Sequence, residues 1–424
     1  MMAFYSGYVD LKYRPKPADL VCSFTLRPAR GVSMKEAAGA VAGESSVGTW
    51  TEISTSSPRI KGMGAKVFSM KGSAIKVAYP PELFEAGNMP QIFSSIAGNI
   101  FGMKVLDSLR LEDVKWPRSI MDSFPGPAFG VKGVRRILRV PKRPLCGTII
   151  KPKLGLREKE HARVAYNAWY GGIDIVKDDE NLTSQPFNHF DRRITETLKL
   201  RDKAEKETGE RKVYMPNISA EYNEMLKRAK FVKRAGGEYI MVDILTVGWS
   251  ALQALRNEDL GLVIHAHRAM HAALTRNKEH GISMVTLADA ARLCGVDQLH
   301  IGTVVGKMEG PKQEVVALGE EIEERFVHPK GRILPEDWGR IKPVFAVCSG
   351  GLHPGLIPPL VRMLGKDIIV QAGGGVHGHP GGTIAGAKAT RQAIDAIMAG
   401  QTLHEYARTH KELQAAIRKW GALK

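Results

Sequence analysis

Residues 171–181 read GGIDIVKDDEN, an apolar run that ends abruptly in Lys177 and the carboxylates Asp178, Asp179 and Glu180. If the run is a strand, side chains alternate between its faces, so Lys177 and Asp179 share one face and Asp178 takes the other. Glu180 lies just past the strand, where a turn brings it inward. Two chemistries fit this spacing. One is a Lys–Asp ion pair closing a strand end. The other makes the lysine a metal ligand: an amine has no oxygen to offer, but its carbamate with CO2 does. Carbamylation needs the neutral amine, and an ordinary lysine is neutral about once in ~2,500 molecules at pH 7. Neighbouring carboxylates favour the ammonium further. A hard divalent cation reverses the balance by screening the carboxylates and binding the carbamate oxygen. Mg2+ suits that task because it takes few protein oxygens and keeps positions open for water or substrate. Spacing alone leaves both readings open.

The elements that would hold such a cluster recur along the chain. Eight short apolar runs follow at intervals of roughly 25–45 residues: LCGTIIK, IDIVK, VYMPNIS, YIMVDI, LVIHAH, QLHIGT, VFAVCSG and IIVQAGG. Helix-like segments such as EHARVAYNAWYGG, RRITETLKLRDKAEKET and LADAARLCG lie between them. Eight strand–helix units make a TIM barrel, whose reactive groups gather at the C-terminal ends of the strands. Polar or Gly-rich residues fall there on every run. Lys151 and Lys153 end the first, and Lys177, Asp179 and Glu180 the second. Asn217 lies in the third and Asp243 in the fourth, while His265, His267 and Arg268 end the fifth. His300 and Thr303 flank the end of the sixth; Ser349, Gly350 and Gly351 end the seventh, and Gly373, Gly374 and Gly375 the eighth. A full ring of such ends argues for an enzyme rather than a scaffold. Asn217, Asp243 and His265 are equally read as supporting or core groups, and Asp178 as a structural partner of a helix residue.

Upstream, the order strand (LVCSFTLRPA), helix (SMKEAAGAVAGESS), strands (TWTEIS, AKVFSM, AIKVAYP), helix (MPQIFSSIAGNIFGMKVL), strand (SLRLEDVKW) is that of a split βαβ, ferredoxin-like domain. The Pro/Gly-rich FPGPAFGVKG at 124–133 reads as a linker. The expected organisation is therefore an α+β ferredoxin-like domain over 1–135 and a (β/α)8 barrel with C-terminal helices over 136–424. Four dispersed cysteines form no CxxC pair, which points away from zinc and disulfides and toward a reducing cytoplasm. No apolar run reaches the ~20 residues that span a bilayer, and the N-terminus lacks a secretory pattern. Lys and Arg outnumber Asp and Glu 61 to 44, a formal charge of +17. That field favours anionic partners. The cations are spread along the chain, without zinc-finger, RGG or basic-heptad patterns, so phosphorylated small substrates are expected and nucleic acid is not.

GTIIKPKLGL, GGIDIVKDDENLTSQPF, HAHRAMHAA, HIGTVVGKMEG, SGGLHPG and QAGGGVHGHPGG resemble, in order, the motifs of the ribulose-1,5-bisphosphate carboxylase/oxygenase (RuBisCO) large subunit. GESSVGTW and SIAGNIFGMKVLDSLRLED match its N-terminal region, so the resemblance covers nearly the whole chain. It implies Mg-dependent carboxylation, with side oxygenation by O2, of ribulose 1,5-bisphosphate to two 3-phosphoglycerate. By the same resemblance Lys177 is the carbamylated lysine, with CO2 as the carbamate, and Asp179 and Glu180 complete the Mg2+ ligands. Lys151 is the acid/base lysine, Lys153 its neighbour, and His267 the histidine at the substrate hydroxyls. Lys307 belongs to a mobile sixth loop that closes over CO2. Arg268, His300 and Ser349, followed by Gly350 and Gly351, resemble one phosphate site. Gly373 and Gly374 resemble the other, together with Thr49 and Trp50 of a partner copy. Glu44 and Asn99 resemble further partner-copy residues, so the active site is expected to span two chains.

NLTSQPF, AMHAALTRNKEHGISM and DQLHIGT resemble archaeal form III enzymes more than plant ones, while GTVVGKMEG is closer to the plant type. The resemblance therefore implies a homodimer or a ring of homodimers without small subunits. The nearest rival is a RuBisCO-like enolase or isomerase acting on another phosphorylated sugar. Such proteins lose several of these residues, and here the set is intact.

Overall fold

The computed structural model describes residues 4–51, 53–305 and 312–423. The chain divides into two compact units. One comprises Met1–Pro125, Met270–Cys294 and Glu324–Ile341, and the other Gly126–Ala269, Gly295–Glu323 and Lys342–Lys424.

The first unit holds the split βαβ sheet. Its strands β1 (Leu20–Pro28), β2 (Lys66–Lys71), β3 (Ala74–Tyr79) and β4 (Leu106–Lys115) lie in the order β4-β1-β3-β2 with antiparallel neighbours. Gly281–Ile282 adds a short strand parallel to β4. The helix Met34–Glu44 follows β1 and starts with a capping box, in which Ser33 Oγ accepts from the Glu36 amide at 3.3 Å and the Glu36 carboxylate accepts from the Ser33 amide at 3.4 Å. Three expectations are corrected here. TWTEIS supplies no strand among its described residues: Ser57 instead caps a short helix, Pro58–Gly62, and the outer edge of β2 is met by Val9, bridged to Val67. The helix expected over MPQIFSSIAGNIFGMKVL runs only from Met89 to Ile96. At Gly98 the chain turns so tightly that a Cβ would lie 2.1 Å from the Ser94 carbonyl oxygen, and a separate 3-10 turn, Asn99–Gly102, follows. LADAARLCG does form a helix, Met284–Cys294, but it groups with this unit and not with the barrel.

The second unit is the (β/α)8 barrel. Its strands are Leu145–Ile149, Ile175–Lys177, Val213–Met215, Tyr239–Asp243, Val263–His267, Gln298–Gly302, Phe345–Ser349 and Ile368–Gln371, hereafter the first to eighth barrel strands. Each is parallel to its neighbours, and the eighth pairs with the first. The ring closes between the third and fourth, where Met241 N donates to Pro216 O at 2.8 Å and Ile218 N to Met241 O at 3.1 Å. Inward residues near the strand starts form an apolar layer: Leu145, Ile175, Val213, Tyr239, Val263, Phe345 and Ile369 are all buried. The stretch read as a linker contributes to this layer. Gly130–Leu138 is a helix whose Val131, Val134 and Leu138 pack into the same cluster, because its apolar residues recur at helical spacing.

Candidate active site at the C-terminal ends of the barrel strands

At the end of the second barrel strand the alternation separates two adjacent carboxylates. Asp178 faces out of the barrel and is fully engaged. It accepts from Tyr214 Oη at 2.6 Å, the Asn217 amide at 2.9 Å and Arg193 Nε at 3.2 Å, and His161 Nε2 lies 3.0 Å away. Burial pushes this carboxyl up, but Arg193, His161 and Tyr214 outweigh it and hold it at about 2. Asp179 faces the rim. Its Oδ2 accepts from Lys151 Nζ at 2.7 Å, and its Oδ1 from the Asn181 side chain at 3.0 Å.

Lys177 is buried between these groups. Its Nζ donates to the Asp178 carbonyl at 2.8 Å and lies 3.6 Å from Glu180 Oε2 and 3.4 Å from Met241 Sδ. The carboxylates were expected to favour the ammonium. Burial outweighs Glu180, Asp179 and Asp243, and the lysine is shifted down, toward the neutral amine. Glu180 turns inward just past the strand, as expected, 3.6 Å from His267 Nε2. Asn217 fastens that turn by donating from Nδ2 to the Glu180 carbonyl at 2.9 Å. Lys177, Asp179 and Glu180 are thus brought together. Among the described residues no three His, Cys, Asp or Glu side chains are grouped to hold a metal. The donors at this strand end are two carboxylates and an amine, a set that suits a hard cation once the amine carries an anionic oxygen.

The remaining rim residues converge from the other strands. His267 Nδ1 lies 2.7 Å from Asp243 Oδ1, a contact that orients the ring. His300 Nδ1 is 2.8 Å from Ser349 Oγ, and its Nε2 is 2.9 Å from His265 Nε2. Arg268 has no ion pair among the described residues, and desolvation pushes its guanidinium down to about 10. Gly302 leaves it room, since a Cβ there would lie 2.9 Å from Arg268 Nη2. Gly350 and Gly351 hold φ of 121° and 72°, in the left-handed region that favours glycine. A Cβ on Gly373 would lie 3.2 Å from Lys151 Cε, so this glycine admits the lysine. Gly374 is exposed and opens the short helix Gly374–His377.

Lys153 is exposed beyond the first strand. Lys307 lies outside the described residues. Glu44, Thr49, Trp50 and Asn99 belong to the other unit. There Glu44 ends the helix Met34–Glu44 and accepts a hydrogen bond from Tyr5 Oη, Trp50 is 63% exposed, and Asn99 opens the 3-10 turn. Sequence reasoning left Asp243 and His265 out of the site and did not single out Gln298. The signal was available: Gln298 shares a strand face with His300, as His265 does with His267.

Family models match both parts of the chain. Residues 130–420 match the ribulose bisphosphate carboxylase large chain catalytic domain, and residues 7–120 its N-terminal domain. The ribulose bisphosphate carboxylase of Methanocaldococcus jannaschii is 52% identical, over 97% of this chain and 99% of that protein. The one from Pyrococcus abyssi is 50% identical, over 99% and 98%. Among solved structures, the dimeric archaeal Rubisco from Hyperthermus butylicus superposes with a TM-score of 0.94 at 49% identity, covering 99% of this chain and 100% of that one. The octameric Rubisco from Pyrococcus horikoshii gives 0.92 at 49% identity, covering 99% and 97%. With its barrel, its rim of polar strand ends and half of its residues shared along the full length, the chain belongs to the ribulose bisphosphate carboxylase large chain family.

Proposed function

We propose that this protein carboxylates ribulose 1,5-bisphosphate to two molecules of 3-phosphoglycerate, with oxygenation as a side reaction. The observation that carries this reading is Lys177. It is a buried lysine shifted toward its neutral form beside Asp179 and Glu180, in a chain of this family. A neutral amine is what attacks CO2, forming the N–C bond of the carbamate with loss of a proton, and Lys177 with Asp179 and Glu180 would then hold Mg2+. The metal's contribution when bound is to polarise the sugar's carbonyl and hydroxyl oxygens.

The chain's own residues supply the rest. Lys177, as its carbamate, takes the proton whose loss makes the enediolate. Lys151 reaches the same place from the first strand, held by Asp179 at 2.7 Å, and returns a proton to the final carbanion. His267, oriented by Asp243, meets the sugar hydroxyls. Arg268, His300 and Ser349, with Gly350 and Gly351, face one phosphate, and the backbone of Gly373 and Gly374 faces the other. Lys153 supports Lys151, and Lys307 closes over CO2. The protein works as a homo-oligomer built from dimers, in which Glu44, Thr49, Trp50 and Asn99 of one copy complete the site of the other. No small subunit, nucleic acid or membrane is required, and the cytoplasm is its compartment. Among the described residues no helix is long and apolar enough to cross a membrane.

The test is anaerobic fixation of labelled CO2 into 3-phosphoglycerate from ribulose 1,5-bisphosphate, with and without preincubation in Mg2+ and bicarbonate. Activity that depends on preincubation is expected. Inactivity of folded, oligomeric protein would favour an enolase or isomerase acting on another phosphorylated sugar.

A further inference from the structure

Beneath the rim, four side chains from three adjacent strands form one line of hydrogen bonds. Gln298 Oε1 lies 2.9 Å from His265 Nδ1, His265 Nε2 lies 2.9 Å from His300 Nε2, and His300 Nδ1 lies 2.8 Å from Ser349 Oγ. Gln298, His265 and His300 are buried, and the two imidazole planes cross at 84° with centroids 4.8 Å apart. Burial holds both rings well below the ordinary histidine range, with the neighbouring His267 adding to it. Each ring is therefore neutral, with one N–H and one bare nitrogen.

In such a line, placing one proton places them all. The amide oxygen of Gln298 only accepts, so His265 carries its proton on Nδ1. His265 Nε2 is then bare and accepts from His300 Nε2–H. His300 Nδ1 is bare in turn and accepts from the Ser349 hydroxyl. The Ser349 proton points inward, so its oxygen is free to accept from a hydroxyl of the bound sugar, and the phosphate beside it is left to Arg268 and the backbone of Gly350 and Gly351. If Gln298 turned its NH2 to His265, every bond in the line would reverse and Ser349 would become a donor to the site.

We propose that Gln298 and His265, neither of which faces the substrate, are positioning residues that fix the tautomer of His300 and thereby the direction of the Ser349 hydroxyl. This deepens the function proposed above, since it rests on His300 and Ser349 facing the sugar bisphosphate. Gln298 is the end of the line. Its Nε2 has no hydrogen-bond partner among the described residues, and its only hydrogen bond there is the one to His265. Its side chain thus acts on the site through the histidines alone.

Neutron diffraction from deuterium-exchanged crystals of the wild-type protein reads the proton positions directly. Deuterons are expected on His265 Nδ1 and His300 Nε2. A deuteron on His300 Nδ1, or on both nitrogens of either ring, would overturn the proposal. Steady-state kinetics of Gln298→Met supply the functional arm. With the direction of the Ser349 hydroxyl no longer fixed, KM for ribulose 1,5-bisphosphate should rise roughly tenfold, while kcat changes less than about threefold. A folded variant with unchanged KM would overturn the proposal, and if the variant does not fold the diffraction result decides. Wild-type protein that carries the expected deuterons but fixes no CO2 would sink the proposed carboxylation and leave the hydrogen-bond line standing.

Discussion

The two ends of the barrel are made from the same eight strands and obey opposite rules. At the strand starts, Leu145, Ile175, Val213, Tyr239, Val263, Phe345 and Ile369 fill the interior against the helix Gly130–Leu138. Two residues further along the second strand the inward position is Lys177, and two further it is Asp179. The apolar end is closed by packing, with the Tyr239 hydroxyl alone of its side chains buried without a hydrogen-bond partner among the described residues. The polar end leaves charges facing the interior whose partners are other charges of the site, such as Lys151 on Asp179. The contrast is sharpest within one dipeptide: Asp178 has Arg193, His161 and Tyr214 around it, while Asp179 has chiefly Lys151 and Asn181. One strand thus carries stability on one face and at one end, and chemistry at the other end, as barrel enzymes do.

Substitutions should separate these roles. The largest effect is expected for Lys177→Met. It removes the buried amine that CO2 would convert, so carboxylation should fall by at least about 10^3-fold, beyond the loss of any single hydrogen bond. Its thermal midpoint should change little, because relief from burying an amine is offset by Glu180, 3.6 Å away and partly exposed, losing its neighbour. Retained carboxylation would break the assignment of polar end to chemistry. At the other end, Phe345→Ala leaves a cavity in the apolar layer and should cost about 3–5 kcal/mol in urea unfolding. The fraction that stays folded should keep its kcat; a matching collapse of kcat would show that the two ends are not separable.

How much of this contrast was legible from sequence follows from what periodicity records. Each of the eight apolar runs became a barrel strand, since a buried parallel strand needs a short apolar stretch and little else. Lys177, Asp179 and Glu180 converged because period-two alternation and one turn are local properties. The described residues of TWTEIS form no strand although the segment is rich in β-branched residues, because strand formation depends on a free sheet edge, which sequence does not display. Gly130–Leu138 looked like a linker because prolines and glycines flank it, yet its Val131, Val134 and Leu138 have the spacing of a buried helix face. Alternation puts His265 and Gln298 on the faces of His267 and His300, but it does not give the hydrogen bonds between them. They link different strands, and only the closed ring makes those strands neighbours.

A smaller effect is expected at Asp178, the satisfied member of the acidic pair. Asp178→Asn strips the charge from a buried Arg193 and should cost about 3 kcal/mol of stability, with kcat of the folded protein retained. The wild-type carboxyl gives a matching signature in pH. Its folded value of about 2 lies below the ordinary ~3.9 of an unfolded aspartate. Its stabilisation is therefore complete above pH ~4 and lost as pH falls from there through about 2. The loss is on the order of 2 kcal/mol. Denaturant midpoints across that range, compared between wild type and Asp178→Asn, should show a step that the variant lacks.

The smallest expected effect concerns Arg268, which sits at the polar end with no carboxylate of its own among the described residues. Desolvation already pulls its guanidinium down to about 10, a cost that a bound phosphate would offset by pairing with it. Arg268→Gln should then raise KM for the bisphosphate roughly tenfold with little change in kcat, and weaken the dependence of KM on salt. Arg268→Lys should fall between, since an ammonium keeps the charge but not the planar fork. Gly302→Ala provides the steric counterpart. Its Cβ would press on Arg268 Nη2 from 2.9 Å at a backbone φ of 95°, and should raise KM in the same direction without touching the charge. If Gly302→Ala binds the bisphosphate normally while Arg268→Gln does not, the phosphate is held by long-range charge alone. If both weaken it alike, Arg268 touches the phosphate and pairs with it at the polar end.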